Sequence, residues 1–586
     1  MEIQKFLRRQ STRLWDAASR QKEWRVIACI VTIGACIRLI GIGYGLPFHV
    51  FSDEEALING ALRMIEMRTL LPVFHWEVFQ DLLYYPPFLS YIFALLFLPL
   101  ALVKFFAMGM PSMSVFKEAL VIDPSLFWYG ARTMTALLGA GNGILIYAIA
   151  RRVFRGADAA FAAVFASALF AMSFIDATLS ATARHWVPTL FFSLLSVWLA
   201  VHAVSRENRR WALASGIALG ISFGMGYLVF FFPIVALIFF MERGRGKPWK
   251  DLLFFFFAGF FSVALLVILL HPQPFLEQVI DHTYPRPGEV KSVPKFLAYY
   301  GWVLWRYETP LVIAGVFGWI VSFFRQRWLW IFLTSLLVMI GGIVYIFLWN
   351  IPRYMSPVIP FLALFGGYGL GWLHVAAKKY MPWAAWMLCA ILAGYGVLVY
   401  GRYAFLMARG DTRNTAAAWI ESHAPKDAPV FILADRMRLT PNASSIDIMA
   451  REAPAALRSS EKIFLGKDPE VFPSMARMVY HVYHVSGERD RARVLIAGEE
   501  ASSSSLSYIV VNEWEPPTDH AFASRIAGQT PIVVFSGELS IRGSHRTYLF
   551  IGGDEGTLAL PVLQALFRIR QFGPPMAVYA VSNESR

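Results

Sequence analysis

The chain alternates long apolar segments with short basic stretches over its first two thirds. An apolar segment of about 20 residues is long enough to cross a membrane as a helix. The pattern predicts eleven spans, at residues 24–46, 131–150, 157–175, 186–204, 211–225, 226–241, 251–270, 309–324, 328–347, 354–374 and 382–401. We therefore expect a polytopic α-helical membrane protein.

The basic residues predict the orientation of these spans, because Lys and Arg concentrate in cytoplasmic loops. The N-terminal arm, residues 1–23, has the pattern of an amphipathic helix on the cytoplasmic surface. With eleven spans, all later basic clusters fall on the cytoplasmic side as well. These clusters lie at residues 151–155, 206–210, 243–250, 325–327 and 378–379.

One further segment, residues 86–110, is apolar enough to cross. A crossing there would reverse the side of every later basic cluster. We therefore expect this segment to lie in the outer membrane surface, inside one long external loop over residues 47–130. The transmembrane domain as a whole is predicted to cover residues 24–402.

The composition changes after about residue 402, where a polar and alternating pattern begins. A helix is predicted at 412–422, and short strands at 429–434, 507–512, 531–536 and 576–581. This pattern favours a small soluble α/β domain at 403–586. The span count places that domain outside the cytoplasm.

Composition supports the membrane class and limits the partners. The chain has 586 residues, of which 57% are hydrophobic and only 16% are charged, whereas soluble domains have about a quarter charged residues. The net charge of +13 comes mainly from residues that orient the spans, so no nucleic-acid partner is expected. The bilayer itself is the first predicted partner.

Three acids, Asp53, Glu54 and Glu55, follow the first span directly. A carboxylate at a membrane surface is costly unless it is solvated, paired or used in chemistry. One interpretation is a solvated acidic turn before an ordinary helix start, since Ser or Asp is a common N-cap. The other is a catalytic base outside the bilayer, with Asp53 as the first candidate and Glu54 as the second.

Such a base suits sugar transfer from a polyprenyl-phosphate donor, since nucleotide sugars are cytoplasmic. The reaction needs a carboxylate base, guanidinium groups for the leaving phosphate and an apolar groove for the lipid. Each cation alone could equally be an interfacial anchor or a salt-bridge partner; Asp176 could be a helix end, and His271 a plain loop residue. The outward-facing candidates for substrate binding are Arg132, Asp176, Arg184, His185, His271, Arg306 and Arg353.

These residues resemble the C-type glycosyltransferases that use lipid-linked sugars, nearest the group of protein O-mannosyltransferases and aminoarabinose transferases. The resemblance covers about the first 420 residues, in order. Its motifs here are Asp53-Glu54, Tyr85-Pro86-Pro87-Phe88-Leu89, the Arg132 region from Gly130 to Gly139, and Arg353-Tyr354.

The resemblance implies that Asp53 activates the acceptor, that Tyr85 lies near the substrate, and that Arg132 and Arg353 hold either the phosphate or the loop fold. It also implies a bacterial inner or plasma membrane, and a protein, lipid or glycan acceptor. The group usually has a second acid where this chain has Trp186. Asp176 could replace that acid from nearby, and the need for a divalent metal stays open.

Two other classes of function remain open at this point. A transporter or flippase of a lipid-linked glycan would place polar groups at broken helices in the midplane, and Gly220, Gly224 and Gly226 interrupt one apolar run. A membrane scaffold would use the α/β domain to bind a partner.

Overall fold

The structure is a computed structural model. It describes residues 23–46, 52–154, 159–226, 248–276, 292–327, part of 329–341, 352–453, 480–485, 491–513, 520–537 and 561–582, apart from scattered single positions within these ranges and with a few more described between them. The side chains of Ser52 and Asp53 are outside the description.

Helices dominate the first 410 residues and recur in the C-terminal domain. They are α1 (residues 23–39), α2 (Ser52–Met67), α3 (Trp76–Phe79), α4 (Phe88–Ala107), α5 (Met113–Ile122), α6 (Ser125–Val153), α7 (Ala159–Ala171), α8 (Phe174–Ser180), α9 (Trp186–Arg206), α10 (Arg209–Met225), α11 (Trp249–Leu270), α12 (Val293–Tyr307), α13 (Thr309–Arg325), α14 (Ile359–Tyr380), α15 (Ala384–Ala408), α16 (Thr412–His423), α17 (Ala443–Glu452), α18 (Arg491–Glu500), α19 (His520–Ile526) and α20 (Val562–Arg568). Short 3-10 helices lie at Pro72–His75 and Pro352–Val358.

By length and composition, six helices within the described residues could cross a membrane, including α4, α6, α9 and α11. The number rises to eight if each of two bent pairs forms one span. The chain bends by 58° between α7 and α8 and by 114° between α12 and α13. The predicted spans 226–241 and 328–347 lie mostly outside the described residues. The polytopic helical class is therefore confirmed.

The described basic clusters gather at one end of the helix bundle, called the basic end below. Arg152 Nη2 lies 3.2 Å from His202 Nε2, which joins the end of α6 to the end of α9. Arg209 pairs with Asp251 at 2.5 Å, which joins the start of α10 to the start of α11. The orientation rule predicts this arrangement, because Arg152 and Arg209 come from two separate basic clusters.

Helix α13 and helix α14 both run toward the basic end. Gly318 of α13 lies against the carbonyl of Phe365 in α14, where an added Cβ would come within 1.7 Å of the oxygen. Further along, the Arg325 guanidinium lies 5.8 Å from the centre of the Trp372 ring. Parallel neighbours imply that residues 325 and 352 lie at opposite ends of the bundle. The gap between them coincides with the predicted span 328–347.

Helix α4 corresponds to the segment that we expect in the outer surface. Its first residue, Phe88, packs against Gly224 in the last turn of α10. A Cβ added to Gly224 would come within 2.5 Å of the Phe88 ring. Near its other end, Lys104 Nζ donates to the Asp123 carbonyl at 2.7 Å, just before α6 begins. Both ends of α4 thus contact the end of the bundle opposite the basic end. This geometry favours the predicted surface position, although α4 is long and apolar enough to cross.

The C-terminal domain contains a mixed five-stranded sheet in the order β2-β1-β3-β5-β4. The strands are β1 (Pro429–Ile432), β2 (His481–His484), β3 (Leu506–Asn512), β4 (Val533–Phe535) and β5 (Met576–Ser582). Strand β1 pairs in parallel with β2 and β3, whereas β5 is antiparallel to β3 and β4. Apolar clusters lie on both faces of the sheet. The predicted α/β class is confirmed, with β2 as an unpredicted strand.

Candidate functional site

A buried ion pair joins the acidic motif to helix α6. Arg132 donates from Nε to Glu54 Oε1 at 3.0 Å and from Nη2 to Glu54 Oε2 at 2.6 Å. The backbone N–H of Ala183 also donates to Glu54 Oε1, at 2.6 Å. Both side chains are completely buried. The Glu54 carboxylate is therefore bound by three donors, which suits it to positioning the loop better than to accepting a proton from substrate.

The same guanidinium also fixes the end of the first span. Arg132 Nη1 donates to the carbonyl oxygens of Ile42 at 2.7 Å and Tyr44 at 2.8 Å. Arg132 thus connects α6 with the segment after α1 and the start of α2, and Glu54 extends the contacts to the turn before α9. We call this set of contacts the Arg132–Glu54 clamp. Of the two roles implied for Arg132, these contacts correspond to holding the loop fold.

The clamp lies at a defined height in the membrane domain. Arg132 and Arg151 are both on α6, and 19 residues of helix separate them by about 28 Å. That distance matches the hydrocarbon thickness of a bilayer, about 30 Å. Because Arg151 is at the basic end, where it lies 3.3 Å from Glu23, the clamp is expected near the opposite membrane surface.

Asp53, the first candidate for the base, lies in the first turn of α2. Its backbone directly precedes Glu54, so the clamp fixes the position of its peptide. Its side chain lies outside the described part of the structure. The role of Asp53 therefore stays a prediction.

Aromatic rings connect several of the predicted binding residues beside the clamp. The Tyr85 ring lies 4.6 Å from His185, and His185 lies 4.9 Å from Trp186. Trp186 meets Tyr354 edge to face at 5.1 Å, and the Arg353 guanidinium lies 5.8 Å from the Trp186 ring. We call this set the aromatic row. It brings together residues from the segment between α3 and α4, the start of α9 and the 3-10 helix Pro352–Val358.

Arg184 lies between the clamp and the aromatic row in the chain, because it follows Ala183 and precedes His185. Its side chain is 1% exposed. Sequence reasoning named Arg184 and His185 as candidates but treated Trp186 only as the place of a missing acid. The structure shows Trp186 in the middle of the row, so its contribution there is an aromatic surface. The pattern Arg184-His185-Trp186 is the signal that could have indicated this role.

Asp176 belongs to a different buried cluster. Arg38 donates to Asp176 Oδ2 from Nε at 2.9 Å and from Nη2 at 2.5 Å. Nearby, Glu308 Oε1 accepts hydrogen bonds from Ser173 Oγ and from the N–H of Ile175, both at 2.7 Å. Asp176 is thus bound within the bundle by Arg38, rather than by any residue of the aromatic row.

Arg38 was missed because it lies inside an apolar segment. An arginine within a span is rare and usually has a buried partner, and that was the available signal. The structure pairs it with Asp176, and both side chains are completely buried. Asp176 as a replacement for the second acid therefore stays a prediction that these contacts do not support.

His271 and Arg306 each contact an aromatic ring that is not part of the aromatic row. His271 is buried, with its ring 5.7 Å from that of Trp76. Burial lowers the pKa of His271 to about 4, although a hydrogen bond with the backbone of Leu83 acts in the opposite direction. The Arg306 guanidinium lies 4.2 Å from the centre of the Trp302 ring. Both substrate-binding roles stay predictions.

No group of three or more His, Cys, Asp or Glu side chains that could hold a metal ion occurs within the described residues. Two of the candidate acids, Glu54 and Asp176, are instead bound to arginines. A carboxylate that is neutralised by a guanidinium is a poor cation ligand. Glu54 and Asp176, as paired here, therefore do not fit a divalent metal site.

Part of the membrane domain matches a known protein family. A family model described as dolichyl-phosphate-mannose-protein mannosyltransferase matches residues 128–271. The resemblance to the C-type glycosyltransferases is confirmed. The matched segment includes Arg132, Arg184 and His185. It begins after Glu54 and ends before Arg353, so the clamp and the aromatic row both connect matched residues with unmatched ones.

Several solved structures are also similar. ArnT from Cupriavidus metallidurans, in the apo state, is 14% identical with a TM-score of 0.46, and the match covers 96% of this chain and 98% of ArnT. The oligosaccharyltransferase AglB from Archaeoglobus fulgidus, in complex with an inhibitory peptide and a dolichol-phosphate, is 13% identical with a TM-score of 0.44, and covers 83% of this chain and 71% of AglB. No curated protein sequence matches the chain significantly.

Proposed function

We propose that the protein transfers a sugar from a polyprenyl-phosphate donor to an acceptor at the membrane surface opposite the basic end. The observation that carries this proposal is the position of the clamp beside the aromatic row, about one hydrocarbon thickness from Arg151 on α6. The description of the matched family names a dolichyl-phosphate-linked mannose donor, which supports a lipid-linked donor here.

The reaction is a single displacement with inversion at the anomeric carbon. The Asp53 carboxylate accepts the proton of an acceptor hydroxyl, and the oxygen forms a bond to that carbon. The bond from the anomeric carbon to the phosphate oxygen breaks, and the polyprenyl phosphate leaves. General-base assistance of this kind contributes roughly 10²–10⁴-fold.

Cationic and aromatic groups have separate tasks in this scheme. Arg353 is part of the aromatic row and Arg184 directly precedes His185 in the chain; both guanidiniums stabilise the negative charge that develops on the leaving phosphate. Aromatic faces such as that of Trp186 suit the apolar face of a sugar ring. Glu54 and Arg132 hold the first external loop, so that Asp53 is placed at the reacting hydroxyl.

Helix packing explains the glycines that left the interpretation as a transporter open. A Cβ on Gly220 would come within 2.6 Å of Val263, and one on Gly226 within 3.0 Å of His185. Small residues allow transmembrane helices to approach closely. These glycines are therefore accounted for by contacts, without a moving broken helix.

The direct test uses purified protein in lipid nanodiscs with a panel of radiolabelled polyprenyl-phosphate sugars. Transfer of the label is measured into protein, lipid and glycan fractions. Asp53→Asn should lower transfer by at least about 100-fold, since it removes the base. Glu66→Gln is the matched control, because Glu66 is on the same helix, exposed, and paired only at the surface with Arg63.

Three results would count against parts of the proposal. Full transfer by Asp53→Asn would remove Asp53 as the base. Movement of labelled lipid across the bilayer without covalent transfer would favour a flippase. Labelling of Glu66→Cys by an impermeant thiol reagent from the cytoplasmic side, with Arg209→Cys labelled from outside, would reverse the proposed sidedness.

A further inference from the structure

Tyr44 contacts both the clamp and the start of the α/β domain. Its backbone carbonyl accepts a hydrogen bond from Arg132 Nη1 at 2.8 Å. Its side-chain hydroxyl donates a hydrogen bond to Oδ2 of Asp411. Tyr44 is 5% exposed and Asp411 is completely buried. One residue thus connects the guanidinium that binds Glu54 with a carboxylate 367 positions later in the chain.

Asp411 lies at the junction between the last membrane helix and the α/β domain. It is the N-cap of α16, where its Oδ1 accepts from the N–H of Arg413 at 2.9 Å. The Arg413 side chain donates to the same oxygen from Nε at 2.8 Å. The carboxylate is therefore held in one orientation, with Oδ1 bound by its own helix and Oδ2 bound by both Tyr44 and Arg413.

The α/β domain fixes this junction from a second direction. The backbone N–H of Thr412 donates to the carbonyl of Phe572 at 2.9 Å, and the Phe572 ring meets Tyr44 edge to face at 5.9 Å. Arg402 on α15 donates to the carbonyls of Leu566 at 3.0 Å and Ile569 at 2.6 Å. The segment 562–572 is thus bound to the membrane domain close to Asp411.

We propose that Asp411, acting through Tyr44, is a positioning residue for the Arg132–Glu54 clamp, so that the α/β domain helps to set the geometry of the transfer site. This inference rests on the proposed function for its catalytic consequence, but not for its structural one. The domain is then part of the machinery that places Asp53, in addition to any role in binding an acceptor.

The test compares two variants, each of which removes the buried hydroxyl of a tyrosine that contacts the Phe572 ring. Tyr44→Phe deletes the hydroxyl that binds Asp411 and keeps the carbonyl that binds Arg132. Tyr403→Phe is the matched control, because the Tyr403 ring lies 6.0 Å from that of Phe572. Its hydroxyl is buried and has no hydrogen-bond partner within the described residues. Both variants are prepared as the full chain in nanodiscs.

Hydrogen exchange is the first measurement, and it does not depend on sugar transfer. A hydrogen bond to a charged group is strong enough that its loss should raise local opening about tenfold or more. Tyr44→Phe should therefore speed amide exchange at residues 52–67 and 181–185 by about tenfold, and Tyr403→Phe should leave it unchanged. Equal exchange in the two variants would overturn the proposal.

Kinetics is the second measurement. Misplacement of the reacting groups lowers kcat more than substrate affinity, so Tyr44→Phe should reduce kcat about tenfold with little change in KM for the donor. If Tyr44→Phe does not accumulate, Asp411→Asn carries the same comparison, since Asn keeps the N-cap. If the wild type transfers no sugar, the proposed function fails, while the exchange comparison still decides whether the link exists.

Discussion

Substituting Glu54 with Gln should destabilise the protein by about 3–5 kcal/mol, because it leaves the Arg132 guanidinium buried without its counter-charge. The carboxylate accepts three N–H donors at 3.0, 2.6 and 2.6 Å. Hydrogen bonds to charged groups contribute about 1.5–3 kcal/mol each. Gln can replace one acceptor oxygen, but its amide group would meet another donor. The expected loss of stability is therefore close to that caused by removing one partner of a buried ion pair.

A double variant separates the pair from its surroundings. Replacing both residues with Met, as Glu54→Met with Arg132→Met, removes the two charges together and fills a similar volume. Buried pairs replaced in this way often lose little stability. Here the carbonyls of Ile42 and Tyr44 also lose their Arg132 donors, so recovery should be incomplete. We expect the loss of stability in the double variant to be smaller than the sum of the losses in Glu54→Met and Arg132→Met by at least about 2 kcal/mol.

Denaturant unfolding of the detergent-solubilised protein measures these differences, with transfer measured in parallel. Asp251→Asn is the control, because Asp251 pairs with Arg209 at 2.5 Å but with both side chains at least half exposed. An exposed pair is worth about 1 kcal/mol or less. The reasoning is refuted if Glu54→Gln is as stable as Asp251→Asn, or if the two single losses add without coupling.

Two further predictions concern the ends and the packing of the helices. Burial lowers the pKa of His271 to about 4, so its contribution to stability is present above about pH 6.5 and is lost as the pH falls toward 4. At 1.36 kcal/mol per pKa unit, the loss of stability over this range is about 3 kcal/mol. The pH dependence of unfolding measures this loss, which should be absent in His271→Gln. Gly318→Ala should lower the melting temperature, because its Cβ would lie 1.7 Å from the Phe365 carbonyl and overpacking costs about 1–3 kcal/mol or more. Gly301→Ala, with open space around it, should not lower the melting temperature, and a loss equal to that of Gly318→Ala would contradict the packing argument.

Local patterns predicted many, but not all, of the elements of this fold. Apolar runs predicted spans that correspond to helices such as α6, α9 and α11, basic clusters predicted the basic end, and β-rich runs predicted four of the five strands. Strand β2 was missed: in His481–His484 the two central residues are buried and the two histidines at the ends are half-buried, so the strand lacks the alternation of an exposed and a buried face. It is only four residues long and rich in His, so its β signal is weak by itself.

Breaks inside spans were not predicted, because periodicity reports which residues are apolar but not where a helix bends. In the structure, the predicted span 157–175 corresponds to two helices, α7 and α8, which meet near Ser173. Glu308 lies at the second break, where α12 gives way to α13. At the first break, Ser173 donates to Glu308. A polar residue between two apolar helices satisfies backbone groups that a bend leaves exposed.

The candidate site shows the same limit at longer range. Sequence reasoning named both Glu54 and Arg132 but gave them different tasks, since nothing local shows that residues 78 positions apart bind each other. Arg38 and Asp176 are 138 positions apart, and only one of them was named. Chemistry at individual positions was predictable, whereas the pairing of charges depended on the tertiary fold.

The pairing also gives a physical reason for two adjacent acids at the start of α2. Successive residues of a helix point about 100° apart, so neighbouring carboxylates cannot share one environment. Glu54 is committed to Arg132 and Ala183 inside the protein. Glu54 can therefore anchor the loop while Asp53, next to it in the same helix, can point elsewhere and meet the acceptor at a fixed distance from that anchor. A base placed in this way depends on the clamp for its position, and the clamp depends on Tyr44, whose hydroxyl is bound by the α/β domain.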